Sequence, residues 1–96
     1  MAFQVMLSPT AEHDLEGIVA YIAVENPAAA ERFGLELFDA ALALAELPQR
    51  GRPFRRDGRI RRIVHGNYLI IYRLNEAEKT VEVLRFWHAA RGEPRL

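Results

Sequence analysis

Cysteine is absent from this 96-residue chain. Its absence excludes disulfide staples, thiolate nucleophiles and thiolate metal sites, and it fits a reducing compartment. Lysine is reduced to Lys79 alone, so the positive charge is carried by arginine. No apolar run is long enough for a membrane span or a signal sequence, and Met1 to Leu7 has no basic head, so the chain is expected to be mature as written and cytoplasmic, without a membrane partner. There is no glycine-rich phosphate loop, no His-x-x-x-His spacing and no Gly-x-Ser-x-Gly. His13, His65 and His88 fall in different elements, so no metal, no cofactor and no small-molecule substrate is expected. Length and the lack of repeats give one domain over residues 1–96, burying somewhat over ~60% of its unfolded surface.

The charge that is present is polarised along the chain. Residues 1–48 carry eight acids against Arg32 alone, and residues 49–96 carry twelve bases against five acids, although the whole sums to zero. Seven arginines lie between Arg50 and Arg62, interrupted by one acid, Asp57. A planar, permanently ionised fork of N–H donors suits phosphate or carboxylate, so the cluster is expected to meet a polyanion or an acidic partner. The alternative is pairing of individual guanidiniums with the acidic helices across the fold.

Periodicity gives the elements. Phe3, Val5 and Leu7 alternate with Gln4 and Met6, which predicts a short strand stopping at Ser8-Pro9. Ser8 as cap and Pro9 at the first position open a helix over about residues 9–25, with Ala11, Leu15, Ile18, Val19 and Ile22 on one side and Glu12, Asp14 and Glu16 near its positive end. Asn26-Pro27 repeats the punctuation, so a second helix forms an antiparallel hairpin with the first. That helix has two apolar faces, one of Ala30, Phe33, Leu37, Ala41 and Leu44, the other of Leu35, Phe38, Leu42 and Ala45. The second is expected to be covered by the first helix and the sheet together, or by a partner helix. Pro48, Gly51, Pro53 and Gly58 predict a loop of about ten residues carrying most of the arginines. Strands follow over residues 60–65, 68–74 and 80–87, joined by Gly66-Asn67 and by a turn over 75–79, and the last nine residues allow no more than a turn of helix. The order β-α-α-β-β-β makes an α+β domain, a helical hairpin packed on a mostly antiparallel four-stranded sheet.

One reactive constellation is conceivable. It is a metal-free RNA-cleaving one, in which sheet arginines stabilise a phosphate under attack by its own 2′-hydroxyl and a strand-end histidine moves a proton. Arg61 or Arg62, Arg73, Arg85, His88 and Arg91 could supply those parts, but Arg61 and Arg62 point to opposite faces and cannot both line one site. Tyr68, Tyr72, Phe86 and Trp87 could stack on bases or simply fill the core. A simple nucleic-acid-binding module is disfavoured by the zero net charge and the missing recognition-helix pattern.

The run Leu7-Ser8-Pro9-Thr10-Ala11, then Asp14-Leu15-Glu16-Gly17-Ile18 and Tyr21-Ile22, Asn26-Pro27 with Ala30-Glu31-Arg32-Phe33, Leu47-Pro48, Gly51-Arg52-Pro53, Arg61-Arg62, Tyr68-Leu69-Ile70-Ile71-Tyr72-Arg73 and Val83-Leu84-Arg85-Phe86-Trp87-His88-Ala89-Ala90-Arg91 resembles, almost end to end, the RelE/ParE superfamily of type II toxins, the ParE-like branch above all. The resemblance implies a growth-inhibiting toxin neutralised by a ParD-like antitoxin, in a complex of two toxins with an antitoxin dimer or a multiple of it. It implies DNA gyrase as the target for the ParE branch and ribosome-bound messenger RNA for the RelE branch. Leu69 stands where RelE-like nucleases tend to have a basic residue, His88 where they often have a tyrosine, and no loop lysines or catalytic glutamate fall between Arg50 and Arg59. A histidine near that position serves some nuclease relatives, so the alternative set is His88 with Arg61, Arg73 and Arg85. For binding to target or antitoxin the expected residues are Arg52, Arg55, Arg56, Arg59 and Arg62, with Phe38, Trp87 and Arg91. Gly92 before Glu93 departs from the acid that commonly follows directly in ParE-like chains.

Overall fold

The structure, a computed structural model, describes residues 2–54 and 56–96, the side chain of Asp57 excepted. The elements run β1 (Gln4–Leu7), α1 (Pro9–Ala23), α2 (Pro27–Leu42), a 3₁₀ turn (Ala43–Ala45), β2 (Arg52–Phe54), β3 (Asp57–His65), β4 (Tyr68–Asn75), β5 (Thr80–His88) and a second 3₁₀ turn (Ala89–Arg91). Both helix starts follow from their caps: the Ser8 hydroxyl accepts from Ala11 N at 3.0 Å, and Asn26 Oδ1 accepts from Ala29 N at 3.0 Å. Ser8 also donates to Leu84 O at 3.2 Å, which ties the helix start to β5. Gly66, at φ +58, supplies the left-handed conformation of the turn between β3 and β4.

Two layers result, the hairpin on one face of a mixed sheet ordered β1-β5-β4-β3-β2. β1 pairs with β5 in parallel and the other neighbours are antiparallel. The sheet thus has five strands among the described residues rather than the expected four. The extra one comes from the presumed loop, where Arg52 pairs with Arg62 and Pro53 with Arg61. Pro53 and Gly51 read as strand breakers in sequence, yet an edge strand tolerates a proline whose missing N–H faces outward. The α+β class stands.

Ala11, Ile18, Leu37, Ala41 and Leu44 meet Ile63, Ile70, Tyr72, Leu74, Val81, Val83 and Phe86 in the main core. The helices cross closely because Gly34 has no side chain: a Cβ there would lie 2.7 Å from Val19 Cγ2. The first apolar face of α2 is used as expected. Coverage of the second face from within the chain is incomplete, for Leu35, Phe38 and Leu42 remain 56%, 37% and 41% exposed. β1 and α1 cover that flank in part, Val5, Leu7 and Leu15 lining a groove with Phe38 and Leu42. Among the described residues no helix is long and apolar enough to cross a membrane.

Candidate functional site

The side-chain period of two turns half of each central strand away from the helices. With Ile63, Ile70 and Tyr72 in the core, Arg62, Val64, Leu69, Ile71 and Arg73 point to the opposite face. A bulge between Ile71 and Tyr72 in the β4–β5 pairing shifts the phase of β5, so that Phe86 enters the core and Trp87 does not. Ile71, Trp87, Phe54 and Pro94 are nevertheless buried, forming an apolar floor on this second face. Beside it opens a cavity of about 830 Å³ lined, among the described residues, by Arg50, Arg52, Arg62, Val64, Leu69 and residues 92–94.

Past Leu7 the edge of β5 has no strand beside it, and Asp14 on α1 takes that place. Its Oδ2 accepts from Phe86 N at 3.1 Å, and its two oxygens accept from Arg85 Nε at 2.7 Å and Nη2 at 2.9 Å. The hydrogen bond to Asp14 raises the Arg85 pKa above the ordinary arginine value, against the opposing effect of burial. Arg85 also donates to Arg95 O at 2.8 Å and lies 4.9 Å over the Trp87 ring. Arg91 covers the same ring at 4.1 Å, and Trp87 Nε1 donates to Gly92 O at 3.0 Å. Trp87 is thus the post to which the C-terminal residues are tied.

Of the four residues weighed for RNA cleavage, Arg61 and Arg73 share one hollow, while Arg85 and His88 lie elsewhere. Arg61 Nη1 donates to Gly51 O at 2.8 Å, and with Tyr72 it pins the segment before β2; its Nε is buried without a partner. Tyr72 Oη donates to Pro48 O at 2.7 Å and accepts from Gly51 N at 2.9 Å. Burial pushes the Tyr72 pKa up, partly offset by the Gly51 bond and by the charges of Arg61 and Arg50. Arg73 pairs with Glu82 at 3.0 Å on the surface and shares a hollow of about 350 Å³ with Arg59 and Arg61. His88 sits opposite Tyr68, five positions along β4 from Arg73, or roughly 17 Å at the strand rise. Its Nδ1 accepts from Ala90 N at 3.1 Å, and its ring meets Tyr68 edge-on at 4.9 Å. Burial, then the charge of Tyr21, raises the Tyr68 pKa. Tyr68, Phe33 and His65 continue this cluster under α2, with His65 Nε2 3.5 Å from Glu36.

Among the residues expected to dock a partner, Arg52 and Arg62 share the large cavity, and Arg62 lies 6.0 Å over the Phe54 ring. Arg56 and Arg59 are exposed but do not line that cavity. Arg55 lies outside the described residues. Arg91 and Trp87 meet at the tail, and Phe38 borders a second, apolar groove of about 440 Å³ with Val5, Leu7, Leu15 and Leu42, rimmed by Glu12 and Glu16. Sequence reasoning missed Asp14 as the partner of Arg85 and Glu93 as a wall of the cavity. Both are polar residues at positions where periodicity predicts only exposure.

A two-helix hairpin packed on a five-stranded mixed sheet is the fold of RelE/ParE toxins of known structure. The pattern of the ParE toxin family, ParE toxin of type II toxin-antitoxin system, parDE, matches residues 5–92, and the chain belongs to that family. Toxin RelE1 of Caulobacter vibrioides is 37% identical over 91 residues, spanning 92% of this chain and 95% of that protein. Toxin RelE2 of the same organism is 40% identical over 88 residues, spanning 92% and 97%. The toxin-antitoxin complex RelBE2 from Mycobacterium tuberculosis contains a chain superposing with a TM-score of 0.72 at 26% identity, over 92% of this chain and 99% of that one. The chromosomal ParDE system of P. aeruginosa gives 0.79 at 17% identity, over 91% and 96%, a likeness of fold alone.

Proposed function

We propose that this toxin acts as one domain, in the cytoplasm, by binding DNA gyrase through its second sheet face and C-terminal residues, without chemistry of its own. The observation that carries this reading is the dispersal of the groups a nuclease would need. Arg85 is held by Asp14, Arg73 by Glu82 and Arg61 by main-chain carbonyls, while His88 caps a 3₁₀ turn. A phosphate under attack needs donors and a proton carrier converging within hydrogen-bond reach. Three arginines round an open cavity instead suit docking of a macromolecule.

One solved relative comes from a toxin-antitoxin complex and another from a ParDE toxin-antitoxin system, and a ParD-like antitoxin is the partner that silences this chain, two toxins with an antitoxin dimer or a multiple of it. The exposed Leu35, Phe38 and Leu42 face fits the apolar side of an antitoxin helix. The apolar groove and the arginine-lined cavity have no lining residue in common. Burial and ion pairing therefore fall to different parts of the partner. Bound antitoxin stabilises the toxin by mass action, so the complex melts above the free chain, and equal melting temperatures would count against the assignment.

The names of the Caulobacter relatives favour a second reading, ribosome-dependent cleavage of messenger RNA. Purified toxin should inhibit gyrase supercoiling and leave messenger RNA intact on translating ribosomes, with Arg62→Ala weakening the first activity. Messenger cleavage that is lost in His88→Ala reverses the assignment.

A further inference from the structure

The charge of this molecule is sorted by layer. The two helices carry Glu12, Asp14, Glu16, Glu31, Glu36 and Asp39 against Arg32 alone. Asp14 meets Arg85 and Glu36 meets His65, while Glu12, Glu16, Glu31 and Asp39 are exposed and meet no cation among the described residues. On the opposite face of the sheet Arg52 and Arg62 are exposed, and no ion pair joins either to a carboxylate among the described residues. Each charged face also carries apolar groups. Phe38 and Leu42 lie beside Glu12 and Glu16, and Val64, 65% exposed, lies beside the arginines.

A two-layer body with these faces is a plate of opposite charge on its two sides, although its formal charge sums to zero. Two copies therefore feel no net repulsion, and their mutual orientation decides whether they attract. Face-to-face pairing about a two-fold axis puts acids on acids or arginines on arginines and is repelled. Stacking in one sense instead lays the helices of one copy on the arginine face of the next. That contact joins opposite charges, covers exposed apolar groups on both sides, and leaves one unused face at each end.

We propose that the free protein binds a second copy of itself head to tail, helix layer on arginine face, and so assembles into open-ended stacks held by charge. The assembly does not depend on which target the toxin attacks. An antitoxin helix seated on Leu35, Phe38 and Leu42 would occupy one of the two faces and cap the stack.

Sedimentation equilibrium of the full chain without antitoxin reads the assembly. At about 10 mM salt, where charges act over about 30 Å, the average mass should rise with concentration beyond that of two chains, and at about 1 M salt, where the range is about 3 Å, it should return to one chain. Arg62→Gln and Arg32→Gln change the net charge equally. The first takes a cation from the basic face and should weaken association by roughly threefold, whereas the second takes one from the acidic face and should tighten it by roughly threefold. Arg52→Glu with Arg62→Glu, and Glu16→Lys with Asp39→Lys, should each give a protein that stays single. An equal mixture of those two variants should form pairs that grow no further, since each retains one working face. All these positions are exposed and outside the core, and far-ultraviolet circular dichroism checks that each variant is folded. An average mass that ignores salt, a native chain that stays single or stops at two copies, the same sign of change for Arg62→Gln and Arg32→Gln, or a mixture that stays single or grows past pairs would each overturn the proposal.

Discussion

Asp14→Asn removes the charge that holds Arg85 while keeping the side-chain shape. The pair is largely out of water, Arg85 17% and Asp14 10% exposed, and the carboxylate serves three donors at once. Removing one member of such a pair strands the other, at a cost of roughly 3–5 kcal/mol. A domain of this size has about 5–15 kcal/mol in total, and each kcal/mol moves the midpoint by about 4–8 °C, so Tm should fall by at least ~12 °C. Replacing both partners, Asp14→Leu with Arg85→Met, leaves no orphan charge and should recover part of the loss, since Phe86 N still loses its acceptor. Glu82→Gln, which breaks the Arg73 pair with its members 47% and 40% exposed, should cost under ~1 kcal/mol. Urea and thermal melts followed by far-ultraviolet circular dichroism measure all three. A single Asp14→Asn variant as mild as Glu82→Gln, or a double variant as unstable as the single one, would refute the keystone role assigned to this pair.

Gly51→Ala should destabilise by roughly 2–3 kcal/mol in urea melts, because the new Cβ would lie 2.5 Å from Tyr72 Oη and 2.7 Å from Arg62 O, and the latter is backbone. Gly34→Ala gains helix propensity but drives a methyl into Val19, so a net loss of about 1 kcal/mol is expected from the same measurement. Tyr72→Phe leaves Pro48 O and Gly51 N without their phenol partner, costing about 1–3 kcal/mol at neutral pH. Since burial raises the Tyr72 pKa, its neutral form stabilises the fold fully below the ordinary phenol value of 10.0, and that contribution is lost as pH rises beyond it. The alkaline fall in Tm should therefore be shallower in Tyr72→Phe than in the native chain. Phe38→Ser should change the stability of the free protein by less than ~1 kcal/mol yet weaken antitoxin binding at least about tenfold in a calorimetric titration.

Local chemistry made much of this molecule readable from its residues. The caps at Ser8 and Asn26, each followed by proline, mark the two helix starts within the chain's own covalent neighbourhood, and Gly66-Asn67 marks the hairpin in the same way. The apolar run at the centre of the sheet and the arginine cluster were legible for the same reason. β2 was not, because Gly51 and Pro53 announce a break and only the distant Arg61 and Arg62 supply the pairing that makes an edge strand. The β4–β5 bulge, invisible to a strict period of two, decides that Trp87 joins the second face and Phe86 the core.

The sequence by itself determined the order of the elements other than β2, the core face of each helix and the sign of charge on each half of the chain, since these depend on residues near one another. Tertiary structure alone decided which arginines are occupied. Arg85 meets Asp14 across 71 positions and Arg61 meets the carbonyls before β2, whereas Arg52 and Arg62 stay without an acid among the described residues. The physical reason is that a guanidinium's role depends on what faces it in space, and chain folding brings those groups together over separations that no local pattern encodes.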